Sequence, residues 1–274
     1  MSDPETVISL SNVKLSFIDE LNKYDELFTK NDYKPQEAAA QLIKLMDIAE
    51  KEVEKNGSHE AINWYGWNLI NGYHLFPNDV DKGIELLEKA MGMGSANALT
   101  SLADIYSGII PTAQEEKHQK PERAIHYYTK ASEQGDGYAS YRLACCYLDG
   151  VCADKNLPKA LEYGERSQHQ GNVYGMYLWG TWLFNGDIVA QNQDEAYALF
   201  YDAYESARNE GGHDWLVATL SYWMGYAIFH GEGVDQDKEE GFAMIEQAAQ
   251  LEDAEAQTWL EEYATYRRIY DNVT

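Results

Sequence analysis

Small, large and glycine residues recur in a fixed order along most of the chain. The segments AINWYGWNLINGY from Ala61, ALTSLADIYSG from Ala98, ASYRLACCYLDGV from Ala139, GMYLWGTWLFNGD from Gly175 and LSYWMGYAIFHGEGV from Leu220 superimpose by pattern. Each places a small residue (Gly66, Ala103, Ala144, Gly180, Gly225) among large apolar ones and then reaches a turn glycine: Gly72, Gly108, Gly150, Gly186 and Gly231. A second apolar pattern at helical spacing follows each turn. It carries two small residues seven apart: Gly83 and Ala90, Ala124 and Ala131, Ala160 and Ser167, Ala196 and Ala203, Gly241 and Ala248. A spacing of seven puts both on one helix face. Small residues let two helix backbones approach, with large neighbours filling the groove, and glycine past the last turn supplies a left-handed cap. The pattern predicts helix pairs with a period of roughly 36 to 45 residues, stacked because one pair alone leaves its apolar face uncovered.

The order A-x-x-x-L-G-x-x-Y-x-x-G-x-G-V followed by a KA-x-x-W/Y repeat half resembles the Sel-one-like repeats, relatives of the tetratricopeptide repeats. PERAIHYYTKASEQG (Pro121 to Gly135) and HGEGVDQDKEEGFAMIEQAA (His230 to Ala249) carry the likeness most clearly. The resemblance implies an all-α, right-handed α/α superhelical solenoid with about 13 helices and no sheet. Five repeats are read at 58–94, 95–135, 136–171, 172–211 and 212–252. Residues 1–57 are read as an N-terminal helical cap, with helices near Val13 to Lys30 and Pro35 to Lys55, or as a separate interaction module; residues 253–274 are read as a C-terminal capping helix. Several features depart from the family pattern. Tyr65 stands where the family has leucine, a long loop from Ile109 to Lys120 separates the second pair's helices, and Glu252 stands at a glycine position. Gly211 comes late, which predicts one extra turn in the fourth repeat's second helix.

Composition adds the chemistry. The formal charge is −25, from 46 acidic against 21 basic residues. Such a field repels nucleic-acid phosphates and anionic membrane surfaces and attracts a basic partner; the plainer account is that it keeps the chain soluble. No apolar stretch is long enough to span a bilayer, and no basic start leads into an apolar run as in a signal peptide. Cys145, Cys146 and Cys152 are too few and too clustered for a disulfide framework. Together these features predict a cytoplasmic protein, unless a leader has been removed. No phosphate loop, dinucleotide fingerprint or H-E-x-x-H occurs, the seven histidines are scattered, and no cofactor or metal site is expected. DQDKEEG from Asp235 lacks the glycine register of a calcium loop. Ser11 and Lys14 form an S-x-x-K without its companion motifs.

Surface is what remains. In relatives of this fold the first helices line a concave groove. Positions two, five and nine of those helices, with the small residue counted as eight, then assign Asn63, Trp67, Asp104, Tyr138, Tyr141, Tyr174, Tyr177, Tyr222 and Tyr226 to it. Tyrosine and tryptophan anchor interfaces because each pairs a large rigid area with a polar tip; the competing account is that these rings only pack between neighbouring helices. Trp64, Trp179 and Trp223 fall at positions expected in the core. The function expected is a non-catalytic scaffold or adaptor of bacterial type that clasps a peptide or protein. Alternatives are an immunity protein neutralising a toxin, a structural part of a larger assembly, and, most distantly, a β-lactam or cell-wall amide hydrolase.

Overall fold

The computed structural model describes residues 17–24, 35–72, 77–110 and 115–271. Among these the chain is helical, with thirteen named helices and no strand. The fold is a helical solenoid of paired helices, divided into two compact units, Met1–Gln134 and Gly135–Thr274.

The first unit contains α1 (Pro35–Lys55), α2 (His59–Asn71), α3 (Val80–Gly92), α4 (Ala96–Ser107), the short α5 (Glu115–His118) and α6 (Pro121–Glu133). The pairs are α2 with α3 and α4 with α6. Gly66 and Gly83 are where the first pair touches: a methyl group added to Gly66 would lie 2.9 Å from the Gly83 carbonyl oxygen, and one on Gly83 2.7 Å from that of Gly66. α1 spans the range expected from Pro35 and Gly57, while residues 17–24 are the described part of the helix expected near Val13 to Lys30. Phe17 is fully buried and meets Trp64 edge-on at 5.7 Å between centroids. Glu20 accepts from Lys44 at 2.6 Å, from Lys23 at 2.7 Å and from Gln41 at 2.8 Å. These donors hold its carboxyl down at about 2. The tyrosine that replaces leucine also acquires a reason: Tyr65 is buried, and its hydroxyl reaches back to donate to Glu50 of α1 at 2.5 Å. At the far end of the long loop α5 lies against the start of α3, where Lys117 meets Asp81 at 2.6 Å and His118 meets it at 3.1 Å.

The second unit contains α7 (Gly137–Asp149), α8 (Leu157–His169), α9 (Val173–Asn185), α10 (Gln193–Glu210), α11 (Asp214–His230), α12 (Lys238–Gln250) and α13 (Ala254–Asp271). The α7–α8 pair is tied by buried serines: the Ser167 hydroxyl donates to the Gly137 carbonyl at 2.7 Å, and Ser140 donates to Gln170 at 2.5 Å. The core of the unit gathers Leu183, Phe184, Phe200, Leu216, Leu220 and Met224 among small residues. The fourth pair's second helix, α10, has 18 residues against 13 in α8, as the late glycine predicts. The structure adds what the repeat alignment missed: α11 is also long, 17 residues against 13 in α9, because it begins well before the repeated segment at Leu220.

Helix starts are fixed by side chains two to three residues ahead. Ser58, Ser95, Asp136, Asn172 and Asp253 cap first-type helices, and Asp79, Asn156, Asn192 and Asp237 cap second-type ones, each accepting from a free backbone N–H. Helix ends use the left-handed conformation at all five turn glycines. At the end of the fifth pair Glu252 takes φ +67° in glycine's place, with its side chain exposed.

Two predictions follow from the close contacts and caps. A methyl group on Gly241 would lie 2.5 Å from the Phe229 nitrogen and 2.6 Å from the Gly225 oxygen, both backbone atoms, whereas one on Gly92 meets nothing within 4 Å. Gly241→Ala is expected to cost about 1–3 kcal/mol by overpacking, and Gly92→Ala to gain about 0.5–1 kcal/mol by helix propensity. Urea unfolding of both variants measures the contrast, and equal effects would contradict the helix contact. Glu252→Gly relieves a left-handed side chain. It is expected to stabilise by about 0.5–1 kcal/mol after the extra freedom of glycine in the unfolded chain is subtracted; a lowered melting temperature would contradict that account.

Candidate functional site

The nine residues assigned to a groove divide between the units. Asn63, Trp67 and Asp104 lie in the first. Asn63 and Trp67 are half-buried, and the Asn63 Oδ1 is buried without a hydrogen-bond donor among the described residues. Asp104 is 8% exposed, and its carboxylate accepts from the Tyr128 hydroxyl at 2.5 Å while its backbone carbonyl accepts from Ser107. Its carboxylate is thus engaged within the helix pair α4–α6. Position in the repeat could not reveal this, because the partner Tyr128 lies 24 residues away on the other helix.

The six groove-assigned tyrosines, all in the second unit, are half-buried. Tyr138 and Tyr141 on α7 meet Tyr174 on α9, with centroids 6.0 and 5.5 Å apart, and the Tyr141 ring is stacked on that of Tyr174. Tyr174 in turn stacks on Trp215 at 5.7 Å and 17° between planes, and its hydroxyl shares a 2.9 Å hydrogen bond with His213 Nδ1. A continuous run of rings therefore crosses α7, α9 and the start of α11. Tyr222 and Tyr226 neighbour each other further along α11, 6.1 Å apart, with Tyr226 against His230 at 4.4 Å. Trp179 and Trp223 pack against the core of the unit, and Trp64 does so in the first.

His213 and Trp215 are the residues that repeat reasoning missed. They sit on the extra turn that begins α11, outside the aligned segment, just after Gly211 and Gly212, both at positive φ. Trp215 is 56% exposed, the most exposed tryptophan among the described residues. The available signal was a tryptophan in a stretch that the repeat did not need.

The electrostatics of the face combine a cation, Arg142 over the Tyr141 ring at 5.6 Å, with several carboxylates. Burial comes first among the causes that raise the phenols of Tyr174, Tyr177, Tyr222 and Tyr226, and nearby carboxylates add to it: Glu210 at Tyr174, Glu255 at Tyr177 and Tyr222, and Glu232 at Tyr226. Tyr222 is pushed up to about 12. These tyrosines hold their protons through the physiological range and remain hydrogen-bond donors as well as acceptors. Next to the face, Cys145 is half-buried with its thiol raised by burial; Cys146 is raised chiefly by its hydrogen bond with Cys152, then by burial. Among the described residues no disulfide joins the three cysteines. Among the described residues no three His, Cys, Asp or Glu side chains converge as a metal ion would require. Ser11 and Lys14 lie outside the described residues.

Comparison with known proteins agrees with this architecture. The Sel1 repeat family model matches residues 54–95, 117–136, 137–172, 173–206 and 221–253. Cytochrome c oxidase assembly factor 7 of Xenopus tropicalis is 24% identical over 175 residues, covering 63% of this chain and 72% of its own. Among solved structures, a Sel1 repeat protein from Oxalobacter formigenes superposes with a TM-score of 0.63 at 17% identity, over 78% of this chain and 82% of its own. A protective antigen of uropathogenic Escherichia coli with the same repeat fold also gives 0.63, at 18% identity, over 90% of this chain and 50% of its own. At these identities the structural likeness concerns the fold. With five matched repeats in series, paired helices and turn glycines in register, the chain belongs to the Sel1 repeat family.

Proposed function

We propose that this chain is a non-catalytic binding scaffold that takes a peptide or protein loop across the aromatic face of α7, α9 and α11. Sel1 repeat proteins generally mediate protein–protein interaction, and the scaffold is typically non-catalytic. The observation that carries the reading to this face is Trp215: an indole more than half exposed, stacked on Tyr174 and continuous with Tyr141 and Tyr138. Rings already fixed by one another lose little freedom when a partner covers them, and their polar tips supply hydrogen bonds. No helix among the described residues is long and apolar enough to cross a membrane. The partner suggested is a basic one, since Glu210 bears on Tyr174 and the chain carries a formal charge of −25.

Affinity purification from the native cell identifies the partner, and two measurements then test the reading. Trp215→Ala removes an exposed ring outside the core, so it is expected to weaken binding by about 2 kcal/mol or more while leaving the melting temperature nearly unchanged. Normal binding with early melting would make the ring a packing residue. The second measurement is the association rate across 0.01 to 0.15 M salt, where the Debye length falls from about 30 to about 8 Å. Steering of a basic partner is expected to give a steep fall in the on-rate with little change in the off-rate. A flat response would leave the charge a solubility device and would remove the support for a toxin-neutralising version of the scaffold.

A further inference from the structure

A second feature of the unit lies where α11 faces the start of α13. A cleft of about 320 Å³ is lined by Tyr222, Ala254, Glu255, Thr258, Trp259 and Glu262. Two of its walls are aromatic and both are held in place. The Trp259 ring is stacked on Tyr263 at 5.0 Å and 9° between planes, with Phe229 against it edge-on, also at 5.0 Å. Tyr222 is braced by Trp223 at 5.7 Å. Ala254 leaves the mouth open, and Thr258 turns its hydroxyl back to the Ala254 carbonyl at 2.8 Å.

The remaining walls are acidic. Glu255 and Glu262 are seven residues apart on α13 and so share one helix face. Among the described residues neither makes an ion pair. Asp253 stands beside them, but it is committed to the fold: it accepts from the Ala256 N–H at 2.9 Å and from the Thr219 hydroxyl at 2.8 Å. Partial burial and then Asp253 push the Glu255 carboxyl above its ordinary value, the condition that an incoming cation relieves. Two fixed π faces and two carboxylates without an ion-pair partner among the described residues are the elements of a cation cage.

We propose that this cleft receives the side chain of an arginine on a basic partner segment, its guanidinium plane lying against Trp259 and Tyr222 and its N–H groups donating to Glu255 and Glu262. Arginine is favoured over lysine because its flat, weakly hydrated head both stacks on rings and presents donors in several directions. The inference rests on the scaffold reading but concerns a pocket separate from the Trp215 face, so each can fail alone.

The test uses the full-length chain with indole nitrogens labelled. Acetyl-arginine-N-methylamide is titrated while the Trp259 indole signal is followed by NMR, assigned through a Trp259→Phe variant. The lysine and citrulline counterparts serve as probes of charge alone and shape alone. A saturable shift of the Trp259 signal is expected with the arginine probe. The Glu255→Gln/Glu262→Gln double variant, with its fold checked by circular dichroism, is expected to bind the probe at least five-fold more weakly. An unmoved Trp259 signal, an equal response to citrulline or lysine, or unchanged affinity in the double variant would each overturn the proposal. With a partner in hand, binding lost in Trp215→Ala but untouched by the glutamate pair would keep the scaffold reading and sink the arginine pocket; the reverse pattern would keep the pocket and sink the aromatic face.

Discussion

Everything in this fold depends on two helix backbones being allowed to touch. In the first and fifth pairs the contact is glycine on glycine, Gly66 against Gly83 and Gly225 against Gly241, with each carbonyl placed where the other residue's side chain would begin. In the fourth pair Gly180 instead makes room for the Phe200 ring. Such proximity turns each pair into a flat plate whose large side chains must point to the edges and faces. A plate cannot cover both its faces, so it needs a neighbour on each side. The shared aromatic core of the second unit follows from that need, while the serine bonds of Ser167 and Ser140 close one pair on itself.

The plates were legible in the sequence because they are made of residues whose size alone matters. Small residues at fixed offsets and turn glycines locate the pairs without knowledge of any partner. The capping residues Asp136, Asn172 and Asp237 came into view only in the structure. What escaped reading depends on pairs distant in sequence. Asp104 occupies a groove position by count, yet its role is decided by Tyr128 on the next helix. Tyr65 breaks the family's leucine because Glu50, outside the repeats, waits for its hydroxyl. Trp215 escaped for the opposite reason, since it lies in residues that the period does not constrain.

Aromatic rings do two jobs in the second unit, and the structure separates them. Phe200, Phe184 and Trp182 are buried among small residues and hold plates together. Tyr174, Tyr141 and Trp215 are braced by one another while keeping part of their surface in water. Charge differs along this face, with Glu210 bearing on Tyr174 and Arg142 lying over Tyr141.

The extra turn that opens α11 has an implication for how such a chain can change. It places Leu216 in the core and Trp215 at the surface, so substitution of its outward residues leaves both that packing and the spacing of Gly225 and Gly241 untouched. Stability and recognition are then written in different letters of the same helix. A lineage could retune what Trp215 and His213 meet, one residue at a time, without passing through an unfolded intermediate, while the glycine contacts tolerate almost no drift.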